Sequence, residues 1–126
     1  VGRLAQVFDN LLSNAAKYAP GSKVLISLVT DGDMAHISVE DDGPGIPPNH
    51  LPNIFSRFYR VPNQNRSVRG TGLGLFICRR IIRAHDGEIT AESNFGEGTT
   101  FHIYLPLQSL KKTDMISISS IEETDL

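Results

Sequence analysis

Asn10 and Asn14 stand four positions apart in a stretch whose other residues favour helix, so both amides lie on one helical face. Asparagine costs a helix interior about 0.5 kcal/mol relative to alanine, so using it twice asks for a reason. Gln6 and Lys17 complete the same polar stripe. A solvated face is the ordinary role of such a stripe. The chemical role is a cation site, since an amide oxygen is a suitable hard donor for Mg2+, which takes oxygen ligands and keeps several waters.

A second group is Asp41-Asp42-Gly43-Pro44-Gly45. Counting in twos from Ala35, Ile37 and Val39 turns Asp41 inward at a strand end. A buried carboxylate needs hydrogen-bond donors. Neighbouring turn amides can supply them. So can the exocyclic amine of a ligand such as adenine, and Gly43 and Gly45 would let a flat base approach the backbone.

A third group is Gly70-Thr71-Gly72-Leu73-Gly74-Leu75, which runs straight into a helical pattern. Bare peptide N–H groups ahead of a helix N-terminus form an anion site, although a flexible hinge has the same composition. No Lys-Ser/Thr follows, so this is not a Walker loop. The GxGxxG dinucleotide pattern fails too, with leucine at 75 and no strand directly before. Arg57, Arg60, Arg66 and Arg69 precede the loop. Singly each reads as solvated surface; together they can clamp a polyphosphate, with Arg57 and Arg60 the better candidates.

The elements that must carry these groups are legible from periodicity. Leu4, Val7, Phe8, Leu11, Leu12 and Ala15 make one apolar stripe, which predicts a helix over Arg3 to Tyr18 ended by Pro20-Gly21. Lys23 to Thr30 and Met34 to Asp41 alternate as strands around an Asp31-Gly32-Asp33 turn. A short helix is expected from Leu51 to Phe58, then a polar, mobile loop from Pro62 to Gly70. A second amphipathic helix runs from Leu73 to His85, with Leu73, Phe76, Ile77, Ile81 and Ala84 inward and Gly87 closing it. Glu88 to Ser93 and Thr99 to Pro106 form two more strands around Gly96-Glu97-Gly98. The sum is an α+β fold, a two-layer sandwich of helices on one face of a mixed, mostly antiparallel sheet.

With 126 residues, 40% hydrophobic and 21% charged, the chain suits one compact domain and not a disordered one. A net charge of −2 gives no general affinity for nucleic acid or anionic membrane. No apolar run approaches the roughly 20 residues of a membrane span, and the opening residues do not read as a signal peptide. Cys78 is the single cysteine, so no internal disulfide forms, which fits a reducing compartment. The spacing of the four histidines and this cysteine argues against structural zinc.

The series QVFDNLLSNAAKYAP, VEDDGPGIP, IFSRFYRV and GTGLGL resembles the N, first glycine, F and second glycine boxes of sensor histidine kinases, and GEGTTFHIYLP resembles their closing strand. The resemblance runs from about Arg3 to Leu107. It implies residues 1–107 as the ATP-binding catalytic domain, in a fold shared with type II topoisomerases, Hsp90 chaperones and mismatch-repair ATPases. It further implies ATP and Mg2+ as ligands. Asn14 would hold the metal with Asn10 lining its site, and Lys17 and Tyr18 would lie near phosphates and ribose. Asp41 would bind the adenine amine, with Gly43, Gly45 and Ile46 shaping the base pocket. Gly70, Thr71, Gly72, Leu73, Gly74 and Leu75 would cradle phosphates beneath a lid over Pro62 to Arg69. Arg60, with Asn14 and Lys17, would act on the transferring phosphoryl group, and Arg57 would sit nearby.

The implied partners are a dimerising helical hairpin that carries the phosphoacceptor histidine and a downstream response regulator. By the same resemblance the hairpin, and the strand expected before the first helix, would lie upstream of this sequence. The implied setting is a membrane-attached homodimeric kinase with this domain in the cytoplasm; the fragment alone is expected to be monomeric and not to autophosphorylate. Residues 108–126 read as a tail, in which Met115 to Ser119 allows an edge strand that would cover an open sheet edge. His85-Asp86 stands where the family usually has His-Gly-Gly, so it reads as a helix end with a tolerated substitution; His36, His50 and His102 read as surface residues. Two alternatives stay open: a non-kinase ATP switch or ATPase of the same fold, and a binding-only domain. Against the ATPase, Gln6 and Asn10 stand where a water-activating glutamate is needed.

Overall fold

The N-terminal apolar stripe forms α1, Arg3–Tyr18, and buries Leu4, Val7, Phe8, Leu11 and Ala15 almost completely. Each of the larger side chains contributes about 1.5–3 kcal/mol by leaving water. The computed structural model describes residues 3–18, 21, 23–56, 74–94 and 96–110, with only the backbone of Lys17 and Tyr18. After α1 come β1 (Val24–Asp31), β2 (Met34–Asp41), a 3-10 turn (Leu51–Asn53), α2 (Gly74–Ala84), β3 (Glu88–Asn94), β4 (Gly98–Pro106) and a second 3-10 turn (Leu107–Ser109).

The described strands form one sheet in the order β1-β2-β4-β3, with every pairing antiparallel. Its register builds cross-strand rows on the inner face. Ile26, Val39, Phe101 and Ala91 make one row; Leu28, Ile37, Ile103 and Ile89 make the next. These rows and the two helices share a single buried cluster, which also takes in Ile54, Cys78, Ile81 and Ile82. The architecture is therefore the expected α+β sandwich, helices on one face of an antiparallel sheet.

Three local expectations are corrected. The helix expected from Leu51 to Phe58 does not begin as an α-helix: Leu51–Asn53 is a 3-10 turn with a proline in its first turn, followed by turn residues to Ser56, and Arg57 and Phe58 lie outside the described residues. Leu51 N–H already bonds to Pro47 O at 3.2 Å, and Pro52, with no N–H, cannot add the next bond of an α ladder. In α2, the buried residues are Cys78, Ile81 and Ile82, while Ala84 is exposed. The helix packs against both α1 and β3, so its inward face keeps the expected Ile81, with Ile77 packed on the core, and extends to Cys78 and Ile82.

The third correction concerns how α2 ends. The residue with positive φ is Asp86, at 61°, and not Gly87. Gly87 N–H bonds to Ile82 O at 3.0 Å and Asp86 N–H to Arg83 O at 3.0 Å, the paired bonds of a Schellman cap. Gly87 is needed for space, because an added Cβ would overlap the carbonyl oxygen of Tyr104. His85 stays at the helix end with Nδ1–H donating to Ile81 O at 2.9 Å.

The outer sheet face carries Leu25, Val29, Met34 and Tyr104, all exposed. His36 and His102 lie there too, but half-buried and hydrogen-bonded to each other at 2.9 Å, with His102 also on Glu92 at 2.7 Å and Tyr104 stacked on His36. They are surface residues with fixed partners. Among the described residues no helix is long and apolar enough to cross a membrane. Met115 to Ser119 lies outside the described residues.

Candidate functional site

Two inner-face rows of the sheet are apolar throughout, and the row beyond Val39 and Phe101 is polar in three of its strands. At the end where β2 finishes and β4 begins, register aligns Asp41 with Thr99, and Thr99 with Ser93, across three neighbouring strands. Side chains alternate along each strand, so these three continue the sets Ala35-Ile37-Val39, Phe101-Ile103-Leu105 and Ala91-Ile89 with polar groups. Thr99 is 6% exposed and Asp41 half-buried. A polar row closing an apolar face is where a ligand with both a flat apolar body and hydrogen-bonding edges finds both partners.

Asp41 is held by its own loop. Its Oδ1 accepts the Gly43 N–H at 3.0 Å, and its carboxylate also accepts the Thr99 N–H. Burial pushes its carboxyl above the ordinary 3.8, while those two amides pull it back down and Asp42 and Glu40 add to the rise. The inward, partly desolvated acid expected from alternation is present. The glycine loop beyond it packs directly on β3: Gly45, at φ 77°, has no room for a Cβ, which would stand 2.6 Å from Asn94 O and 3.0 Å from Ser93 Oγ. Pro44 O accepts the Gly96 N–H at 2.6 Å, and Ile46 N–H donates to Ser93 Oγ at 2.7 Å.

The two helices pack against each other. Asn10 Nδ2 donates to Gly74 O at 3.4 Å, which ties the asparagine stripe of α1 to the first residue of α2. Asn10 also hydrogen-bonds Cys78, whose thiol donates to Val7 O at 3.6 Å. Burial pushes that thiol up to about 12. Asn14 lies one turn further along α1 and is half-buried, unlike Gln6, which is exposed. Leu75 packs against the core.

The described geometry thus brings Asn10 to Gly74, and Asp41, Gly43, Gly45 and Ile46 to Ser93 and Thr99. The side chains of Lys17 and Tyr18, together with Arg57, Arg60, Gly70, Thr71, Gly72 and Leu73, lie outside the described residues. Ser93 and Thr99 were not singled out from sequence, yet the count in twos that found Asp41 also finds them, one step beyond Ala91 and Phe101. Among the described residues no three His, Cys, Asp or Glu side chains gather to hold a metal. An amide oxygen such as those of Asn10 and Asn14 is a donor that Mg2+ accepts.

Comparison with known proteins accords with this arrangement. Residues 1–109 match the family model for the histidine kinase-, DNA gyrase B- and HSP90-like ATPases. The sensor protein SrrB of Staphylococcus aureus is 44% identical over 106 residues, covering 82% of this chain and 18% of SrrB. The chain thus spans about a fifth of the length of the curated relatives it matches. Among solved structures, the mycobacterial sensor histidine kinase MprB superposes with a TM-score of 0.71 at 36% identity, over 80% of this chain and 70% of that one. Full-length ShkA in complex with AMPPNP gives 0.69 at 33% identity, over 82% of this chain and 21% of that one. With the glycine loop, the asparagine helix and the polar row in one fold, this chain belongs to the histidine kinase-, gyrase B- and HSP90-like ATPase family, as an ATP-binding catalytic domain of the sensor histidine kinases.

Proposed function

We propose that this domain binds Mg-ATP and supplies its γ-phosphoryl group to a histidine on a separate dimerising helical hairpin, in two-component signal transduction. The observation that carries the reading is the polar row Asp41-Thr99-Ser93 facing a loop that glycine alone can close. Asp41 accepts the adenine amine, and Gly43, Gly45 and Ile46 admit the base. Asn14 holds Mg2+ with Asn10 beside it. Lys17 and Tyr18 lie at phosphate and ribose, and Gly70 to Leu75 cradle phosphates, with Arg57 and Arg60 neutralising charge.

The chemistry that Mg-ATP brings is an activated phosphoryl group; the protein's share is positioning and charge neutralisation, and it needs no nucleophile of its own. The ShkA complex with AMPPNP supports an ATP-type ligand for this fold. No glutamate occurs in α1, so the helix has none with which to activate water, which favours transfer over hydrolysis. By the same reading the intact protein is a homodimeric, membrane-attached kinase with this domain in the cytoplasm and a response regulator downstream.

Titration of this chain with a fluorescent ATP analogue, with and without Mg2+, tests the binding. Saturable binding strengthened by Mg2+ is expected. An Asp41→Asn chain that bound ATP and GTP as the parent does would break the adenine assignment. Phosphotransfer to a separately supplied hairpin then distinguishes a kinase domain from one that only binds.

A further inference from the structure

Ser93 joins the first glycine loop at Ile46 to the start of β4 at Gly98 and Thr99. Its Oγ lies 2.7 Å from Ile46 N, 2.8 Å from Gly98 O and 3.0 Å from Thr99 Oγ1. A hydroxyl has one proton and two lone pairs. Ile46 N–H can only donate and Gly98 O can only accept. One assignment satisfies all three contacts together: Ser93 gives its proton to Gly98 O and accepts from both Ile46 N–H and the Thr99 hydroxyl. The Thr99 proton is then committed to Ser93, and Thr99 keeps only acceptor capacity for anything that enters beside it.

We propose that Ser93 is a positioning residue that fixes both the first glycine loop and the hydrogen-bonding polarity of the polar row, and thereby sets the selectivity of the site for an amino-bearing purine. On this account the row offers acceptors from two register partners, the Asp41 carboxylate and the Thr99 hydroxyl on the neighbouring strand. A base edge presenting an amine meets complementary groups there. One presenting a carbonyl leaves acceptors facing acceptors, and specificity of this kind comes from the unpaired group in the wrong complex. The inference rests on the nucleotide-binding reading above and adds to it the residue that orients the acceptors.

The test compares the parent chain with Ser93→Ala, Ser93→Thr and Ile89→Val, the last a mild core change away from the polar row. Competition of ATP and GTP against the fluorescent ATP analogue gives the selectivity, and amide hydrogen exchange without nucleotide reports the Ile46 N–H. Ser93→Ala is expected to weaken ATP binding about tenfold, as for loss of one hydrogen-bond anchor, and to narrow the ATP-over-GTP ratio. Ile46 exchange should quicken. Ser93→Thr, which keeps the hydroxyl, should restore the ratio, and Ile89→Val should leave it unchanged. A Ser93→Ala chain with the parent's ratio, or an Ile89→Val chain that narrows it equally, overturns the proposal while the nucleotide site stands. A parent chain that binds neither nucleotide overturns both.

Discussion

Asn10 and Gly74, 64 positions apart in the chain, are joined by a hydrogen bond of 3.4 Å from the asparagine amide to the glycine carbonyl. The bond makes the asparagine helix and the start of α2 one unit. It gives Asn10 a structural task beside any role at a cation, and explains why a poor helix former is kept half-buried there. Replacing Asn10 with Ala should cost about 0.5 kcal/mol net, the ~1 kcal/mol of such a bond less the ~0.5 kcal/mol of helix propensity that alanine regains. Chemical denaturation measures it, and faster amide exchange in the first turn of α2 should accompany the loss. An unchanged midpoint with unchanged exchange would show that the bond does not couple the helices.

Asp41 should stabilise binding while opposing stability. Its folded carboxyl holds a proton more tightly than the unfolded one, so ν is larger in the folded state between the two values. The associated stability is fully present below 3.8 and is lost as pH rises through the folded value. At neutral pH Asp41→Asn is therefore expected to melt no lower than the parent while losing preference for ATP. The melting difference should shrink as pH falls towards 3.8. A clear drop in melting temperature at pH 7 would mean that the charged form is favoured by its two amide donors more than it is penalised by burial.

Much of this fold was legible from spacing alone. Leu4, Val7, Phe8, Leu11 and Ala15 mark α1 because a surface helix has one core to face, and the alternation in the four strands marks an inner side. Where an element faces two neighbours, counting falls short: in α2 it finds Ile81 and Ile77 but misses the buried Cys78 and Ile82, because α1 and β3 share the helix, and Ala84 is left outside. Asp41 was visible in the sequence because a charge at an inward position is conspicuous. Ser93 and Thr99 were not, because small hydroxyl residues near a turn are ordinary, and only the register shows them beside Asp41.

The cap of α2 offers a separate check. Asp86 holds a left-handed backbone that glycine adopts without penalty, and an aspartate side chain offsets only part of the cost. Asp86→Gly is expected to stabilise the domain by roughly 0.5–1 kcal/mol. Gly87→Ala, forced against the Tyr104 carbonyl, should destabilise it by about 2 kcal/mol or more. Thermal melts of the two variants read both effects, and the reverse order of stabilities would refute the assignment of the two positions.

Cys78 is buried between α1 and α2, with its thiol pushed up to about 12. Only the thiolate reacts at a useful rate, so a disulfide reagent at pH 8 should leave the native chain unmodified and label it fully in denaturant. Rapid stoichiometric labelling without unfolding would show the helix interface to be open.

The site itself is tested most directly by amide chemical shifts of the 15N-labelled chain during titration with Mg-AMPPNP. The account predicts saturable shifts concentrated at Asn10, Asn14, Gly43, Gly45, Ile46, Thr99 and Gly74, with Val29, His36 and Tyr104 on the outer sheet face unmoved. Shifts clustered on that outer face, or none that saturate, would contradict it.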